Sequence, residues 1–151
     1  AFGAMVPPGE EEHLPPPTSL VASRLFANRS ELQFAASAWA PMVTFLDEHY
    51  TLPTREVIAQ LLAEDGTNTM PYVREVWDCD DFAIELLASV HRSSRSLPSP
   101  LAFGMAFGER DGEGAHAVNA FFDQHTALWC VEPQDDRIWG CEGFSPHHLL
   151  L

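Results

Sequence analysis

From Ser30 onward, apolar residues recur at helical intervals. Leu32, Ala35, Ala36 and Trp39 share one face, Ser30 is placed to cap, and Glu31 suits the first turn. Pro41 has no N–H, so it must interrupt or restart the helix. Beyond it, Met42, Phe45, Leu46 and His49 fall at i, i+3, i+4 and i+7, which predicts that a mostly apolar helical face continues. His49 closes that face and reads as a boundary residue rather than a ligand. A second helix opens at Pro53-Thr54, carries Glu56 in its first turn, buries Val57, Ile58, Leu61 and Leu62, and stops near Gly66. After the loop Asp65 to Thr69, Asp78 can cap a third helix, with Asp81 three residues later in capping-box position. Phe82, Leu86 and Val90 form its stripe, flanked by Ala83 and Leu87; serines and prolines from Ser93 to Pro100 end it.

The pattern then shortens to strands. Leu101 to Phe107 is a compact apolar run, Gly108 to Gly114 a flexible turn, Ala115 to Phe122 a second strand, Ala127 to Glu132 a third and Asp136 to Trp139 a fourth. Asp123 to Thr126 reads as a hairpin turn. Helices first and an antiparallel meander afterwards predict an α+β class, with N-terminal helices packed on a small antiparallel sheet. Residues 1–18 hold Pro7-Pro8, Glu10-Glu11-Glu12 and Pro15-Pro16-Pro17 and read as an extended arm or tail, leaving 19–151 as one domain.

Composition narrows the function classes. A chain of 151 residues with 46% apolar residues, ten Phe and four Trp has enough material for one packed core. Its formal charge of −14, from 22 acidic and 8 basic residues, disfavours nucleic acid and anionic membranes as partners. No apolar run approaches the roughly 18 residues of a membrane span, and the N-terminus lacks the basic start and apolar block of a secretory signal. Compartment and oligomeric state stay open, a homodimer included. Three cysteines, none in a CxxC pair, argue against a disulfide scaffold. A Cys130–Cys141 bridge in an oxidising compartment is one alternative; a zinc site built from all three cysteines and a histidine is another, although the spacing matches no common zinc module.

The stretch Trp77-Asp78-Cys79-Asp80-Asp81-Phe82-Ala83 carries the strongest chemical signal, because it sets a cysteine at a helix start. Unpaired N–H groups and the helix dipole favour a thiolate there, whereas three adjacent aspartates oppose it. His116 lies in the apolar run Ala115 to Phe122, and Glu132 ends the next strand before Pro133 and Gln134. Alternation puts His116 on one face with Val118 and Ala120, and Ala117, Asn119 and Phe121 on the other. Taken singly, these are an ordinary buried cysteine, a core histidine and a solvated glutamate. Their order, nucleophile, base, then the carboxylate that orients the base, is what points to chemistry.

On Trp77 to Ala83, Ala115 to Asn119 and Val131 to Gln134, the chain resembles the papain-like cysteine protease domain at the C-terminus of chimeric fungal lectins of the Marasmius oreades agglutinin type, from about Thr54 to about Trp139. The resemblance implies a papain-like fold and a cysteine peptidase activated by a divalent cation, usually calcium. Cys79 would be the nucleophile, His116 the base and Glu132 its orienter, with protein or peptide as substrate. It implies carboxylate cation ligands near the site, for which Asp80 and Asp81 are the nearest candidates and Asp135 and Asp136 the next. The β-trefoil sugar-binding domain of those lectins has no counterpart in this sequence, so carbohydrate binding is not expected from the resemblance. A transglutaminase-like acyl transferase and a non-enzymatic interaction domain with an idle triad are the alternatives.

Overall fold

Asn28 begins the folded architecture as a helix cap: its side chain accepts the Glu31 N–H at 2.9 Å while Glu31 reaches back to the Asn28 N–H. The computed structural model describes residues 24–151. The expected arm at 1–18 lies outside them. In chain order the elements are β1 (Phe26–Asn28), α1 (Arg29–Trp39), β2 (Met42–Thr44), β3 (His49–Thr51), α2 (Arg55–Glu64), a short 3-10 turn (Thr67–Thr69), α3 (Cys79–Ser93), β4 (Phe103–Arg110), β5 (Gly114–Phe122), β6 (Leu128–Glu132), β7 (Arg137–Trp139) and β8 (Phe144–Leu150). β1 and β3 form an antiparallel ribbon, and the other six strands form one sheet in the order β2-β8-β4-β5-β6-β7.

The expected α+β, papain-like arrangement of N-terminal helices on a small antiparallel sheet therefore does not describe the molecule. Among the described residues there are eight strands in two sheets and three α-helices interspersed between them. The first error is local. Ala40, before Pro41, is extended, as pre-proline sterics require, and α1 does not resume beyond it; Met42–Thr44 instead pairs parallel with β8. The helical spacing of Met42, Phe45, Leu46 and His49 is thus fortuitous. The second error is one of omission, because β8 inserts between β2 and β4 and makes the sheet mixed.

The sheet is covered on both faces. On one side α1 packs Leu32 and Ala36 with Tyr50 against Ala106, Val118, Ala120, Phe122 and Leu149. On the other, α2 and α3 pack Ile58, Leu62, Leu86 and Val90 against Phe103, Phe121, Trp129 and Ile138. Burial on both faces explains why β4 and β5 read as unbroken apolar runs instead of alternating ones. Gly104 is required by the close approach of β8: a Cβ there would lie 2.0 Å from the Leu150 carbonyl oxygen. In α2, Thr54 caps as expected, but Val57 is exposed and Ala59 takes its place beside Ile58 and Leu62.

Cys130 and Cys141 form a disulfide, which excludes a zinc site using all three cysteines and leaves Cys79 as the free thiol. No described helix is long and apolar enough to cross a membrane.

Candidate functional site

The site is assembled where the N-terminus of α3 meets β5, β6 and the far end of β4. α3 starts at Cys79 because Asp78 caps it; the Asp78 N–H donates to the Asp81 carboxylate at 3.2 Å. Buried Asn119 on β5 holds the helix from beneath. Its amide donates to the carbonyls of Ala83 at 2.9 Å and Gly104 at 3.1 Å, joining α3, β5 and β4. Asn119 does point away from the His116 side, as strand alternation predicts, and its role is to seat the helix.

Three of the four central groups form one cluster. The Glu132 carboxylate, 5% exposed, accepts from His116 Nε2 at 2.7 Å and from the Arg110 guanidinium. The same Arg110 nitrogen lies against His116 Nε2. That nitrogen cannot both donate to Glu132 and accept from Arg110. The tautomer that leaves no two acceptors opposed carries the proton on Nε2, gives it to Glu132, and leaves Nδ1 as the unprotonated nitrogen. Arg110 also pairs with Glu113 at 2.9 Å. Burial works against the Arg110 charge, but Glu113 and Glu132 outweigh it and hold the guanidinium pKa above its ordinary value.

Cys79 meets the same strand one residue on, at Ala117, whose N–H favours the thiolate. The thiol is half-buried against Ala83, Met105 and Ala117. Burial pushes its pKa up, Asp78 and Asp80 add to this, and the N–H groups of Ala117 and Asp80 do not overcome them. Desolvation and local acid thus oppose the favour that the helix start lends the thiolate. Tyr72, exposed on the loop before α3, faces the same place. Its hydroxyl pKa is raised by desolvation first and then by Asp78 and Cys79.

The proposed cation ligands separate. Among the described residues, the grouping compact enough to hold an ion is Asp78, Cys79 and Asp80. Asp81 is occupied with the helix cap, and Asp135 and Asp136 lie in the β6–β7 turn, where Asp135 accepts from the Arg137 N–H at 3.0 Å. Asp78 has its pKa raised, chiefly by a hydrogen bond with Asp80. Two members of the site were missed from sequence. Arg110 sat within a presumed flexible turn, although β4 continues through Gly108 and puts Arg110 opposite Gly114. Tyr72 carried no periodic signal.

The sequence profile of a family described as agglutinin C-terminal matches residues 50–138. No curated protein matches the chain. Two solved structures share its fold with a TM-score of 0.75 and 22% identity. One is described as a PSL1a–E64 complex, and 85% of this chain covers 52% of that one. The other is Polyporus squamosus lectin bound to the human-type influenza-binding epitope Neu5Aca2-6Galb1-4GlcNAc, with 85% and 50% covered. This chain thus spans about half the length of either.

These findings overturn the expected activity. The matched family is one of agglutinins, and a solved relative of the same fold is a lectin holding a glycan. The cysteine-type peptidase, its hydrolase and thiol-protease designations and its peptide substrate are therefore withdrawn.

Proposed function

Because the chain belongs to the agglutinin C-terminal family, we propose that it is a carbohydrate-binding module and that Cys79, His116 and Glu132, with Arg110, form a ligand-contacting cleft within it. The observation that carries the site is the doubly held Glu132 carboxylate, which fixes an imidazole and a guanidinium together. Polar groups locked by one another suit hydroxyl recognition, because little side-chain freedom is lost on binding. The strongly acidic chain favours neutral over anionic ligands.

Calcium belongs to the same proposal. Asp78 and Asp80 fit a hard cation: the pKa of Asp78 is raised by its hydrogen bond to the neighbouring carboxyl, a crowding that a bound cation relieves. The two carboxylates and any bound ion would hold the loop before α3 in place.

The test is a glycan panel that includes Neu5Aca2-6Galb1-4GlcNAc and neutral Galb1-4GlcNAc, read by titration calorimetry with and without calcium. Glu132→Gln should weaken binding at least tenfold without loss of fold, and calcium should raise the melting temperature in a way that Asp80→Asn abolishes. A parallel arm offers E64 and asks whether it is retained and whether Cys79→Ala releases it. Absence of glycan binding, together with peptide hydrolysis that disappears in Cys79→Ala, would overturn the reading.

A further inference from the structure

The Cys130–Cys141 bridge joins the two stretches of chain that carry the partners of the cleft's central ion pair. Cys130 lies on β6, two residues before Glu132. Cys141 follows β7 and opens the turn into β8. Hydrogen bonds tie that turn back onto the sheet. Trp139 Nε1 donates to the Glu142 carbonyl at 3.0 Å, the Phe144 N–H to the Cys141 carbonyl at 3.2 Å, and the Asp111 N–H to the Gly143 carbonyl at 2.9 Å. Asp111 directly follows Arg110, and Arg110 is itself paired in register with Phe144 of β8. Glu132 and its guanidinium partner thus hang on opposite halves of one disulfide.

The two sulfurs differ in access. Cys130 is fully buried, in register with Ala120 on β5 and Trp139 on β7. Cys141 forms part of the wall of a pocket of about 300 Å³, with Ala38, Trp39, Leu128 and Gly140. The described lining residues carry no charge, which eases the approach of a thiolate to a chain of net charge −14. Cys141 also holds a left-handed backbone conformation, with φ at 72°. A residue with a Cβ adopts that conformation at a cost, and its surroundings must impose it. Opening the bridge removes one of those constraints and lets the turn relax.

We infer that Cys130–Cys141 is a thiol–disulfide switch on the cleft, opened at Cys141 by a small dithiol entering this pocket. One thiolate of the dithiol bonds to Cys141 Sγ; the bond between the two cysteine sulfurs breaks, and Cys130 leaves with the electron pair and takes up a proton. The second thiolate of the dithiol then attacks the mixed disulfide and releases Cys141, which is protonated in turn. The bridge gains two electrons and two protons, and the dithiol ends as a cyclic disulfide. With the bridge open, the 140–143 turn no longer fixes Asp111, and Arg110 can swing away from Glu132, leaving that carboxylate to His116. This switch acts on the cleft proposed above and rests on that reading only for what the cleft holds.

The experiment reduces the folded full chain with dithiothreitol and follows free thiols, amide exchange and the His116 ring by NMR. The reduction rate should rise in proportion to dithiothreitol and be unchanged by urea below the unfolding transition. Ala38→Phe, at an exposed position on the pocket wall, should slow it at least about tenfold. In the reduced protein the Asp111 amide should exchange at least about tenfold faster. The His116 ring resonances should move with it while those of Val118 in the sheet centre stay in place, and reoxidation should reverse both changes. The switch is overturned by reduction that waits for urea to unfold the chain, by a reduced protein that loses its fold, or by one in which Asp111 and His116 are unaltered. Equal reduction rates in Ala38→Phe and wild type overturn the route through the pocket. No glycan is present in these measurements, so they leave the carbohydrate reading to its own test.

Discussion

Asn119 offers the sharpest test of how the site is held. Its amide, fully buried, spans the carbonyls of Ala83 on α3 and Gly104 on β4. Asn119→Ala deletes two buried hydrogen bonds, each worth about 0.5–1.5 kcal/mol net. It also leaves a void whose cost runs at about 24 cal/mol per Å³. The expected loss is roughly 2–4 kcal/mol, which for a domain of this size lowers the melting temperature by about 8–15 °C. Urea unfolding followed by tryptophan fluorescence should show a lower midpoint at an unchanged slope. Asn119→Asp keeps the shape but turns an acceptor toward two carbonyl oxygens, so the folded state prefers the protonated acid and raises its pKa above the unfolded value of about 3.9. Its stability is then retained below that unfolded value and lost as pH rises through the folded one. An Ala variant within about 0.5 kcal/mol of wild type, or an Asp variant indifferent to pH between 3 and 7, refutes the account.

Gly104→Ala places a methyl 2.0 Å from the Leu150 carbonyl oxygen, so β4 and β8 must part; we expect a loss of at least about 3 kcal/mol, and a melting temperature unchanged within 2 °C would contradict the close approach. Cys79, with its pKa raised above the ordinary 9.0 chiefly by burial, should alkylate slowly at pH 7 and faster as pH climbs past 9; the stability tied to its protonated form is present below the ordinary thiol pKa and lost as pH rises through the folded one. Rapid labelling that is flat from pH 6 to 9 contradicts this. Reducing the Cys130–Cys141 bridge, which closes a loop of sequence separation 11, should cost about 3 kcal/mol; equal urea midpoints with and without reductant would show that the bridge adds nothing.

What could be read from sequence was local. Thr54 and Asp78 cap the helices expected of them because capping depends on residues three positions away. The meeting of His116 with Glu132 was likewise within reach, since β5 and β6 are consecutive antiparallel strands. Non-local pairing was not. Nothing near Met42 announces that it will lie parallel to His148, and the competing helical spacing was the only signal available. Arg110 was hidden by Gly108, Gly112 and Gly114, which read as a turn although the strand runs on to Arg110. The chemical error had a different source. The order of histidine and carboxylate found the His116–Glu132 pair, yet a fold does not fix an activity.

The position of β8 between β2 and β4 bears on how the protein is made. A ribosome delivers β2 early and its hydrogen-bonding neighbour at the far end of the described chain, so the edge of the sheet waits, apolar and unmatched, through most of synthesis. Assembly is then expected to finish in one late zipping event, in which β8 closes on β2.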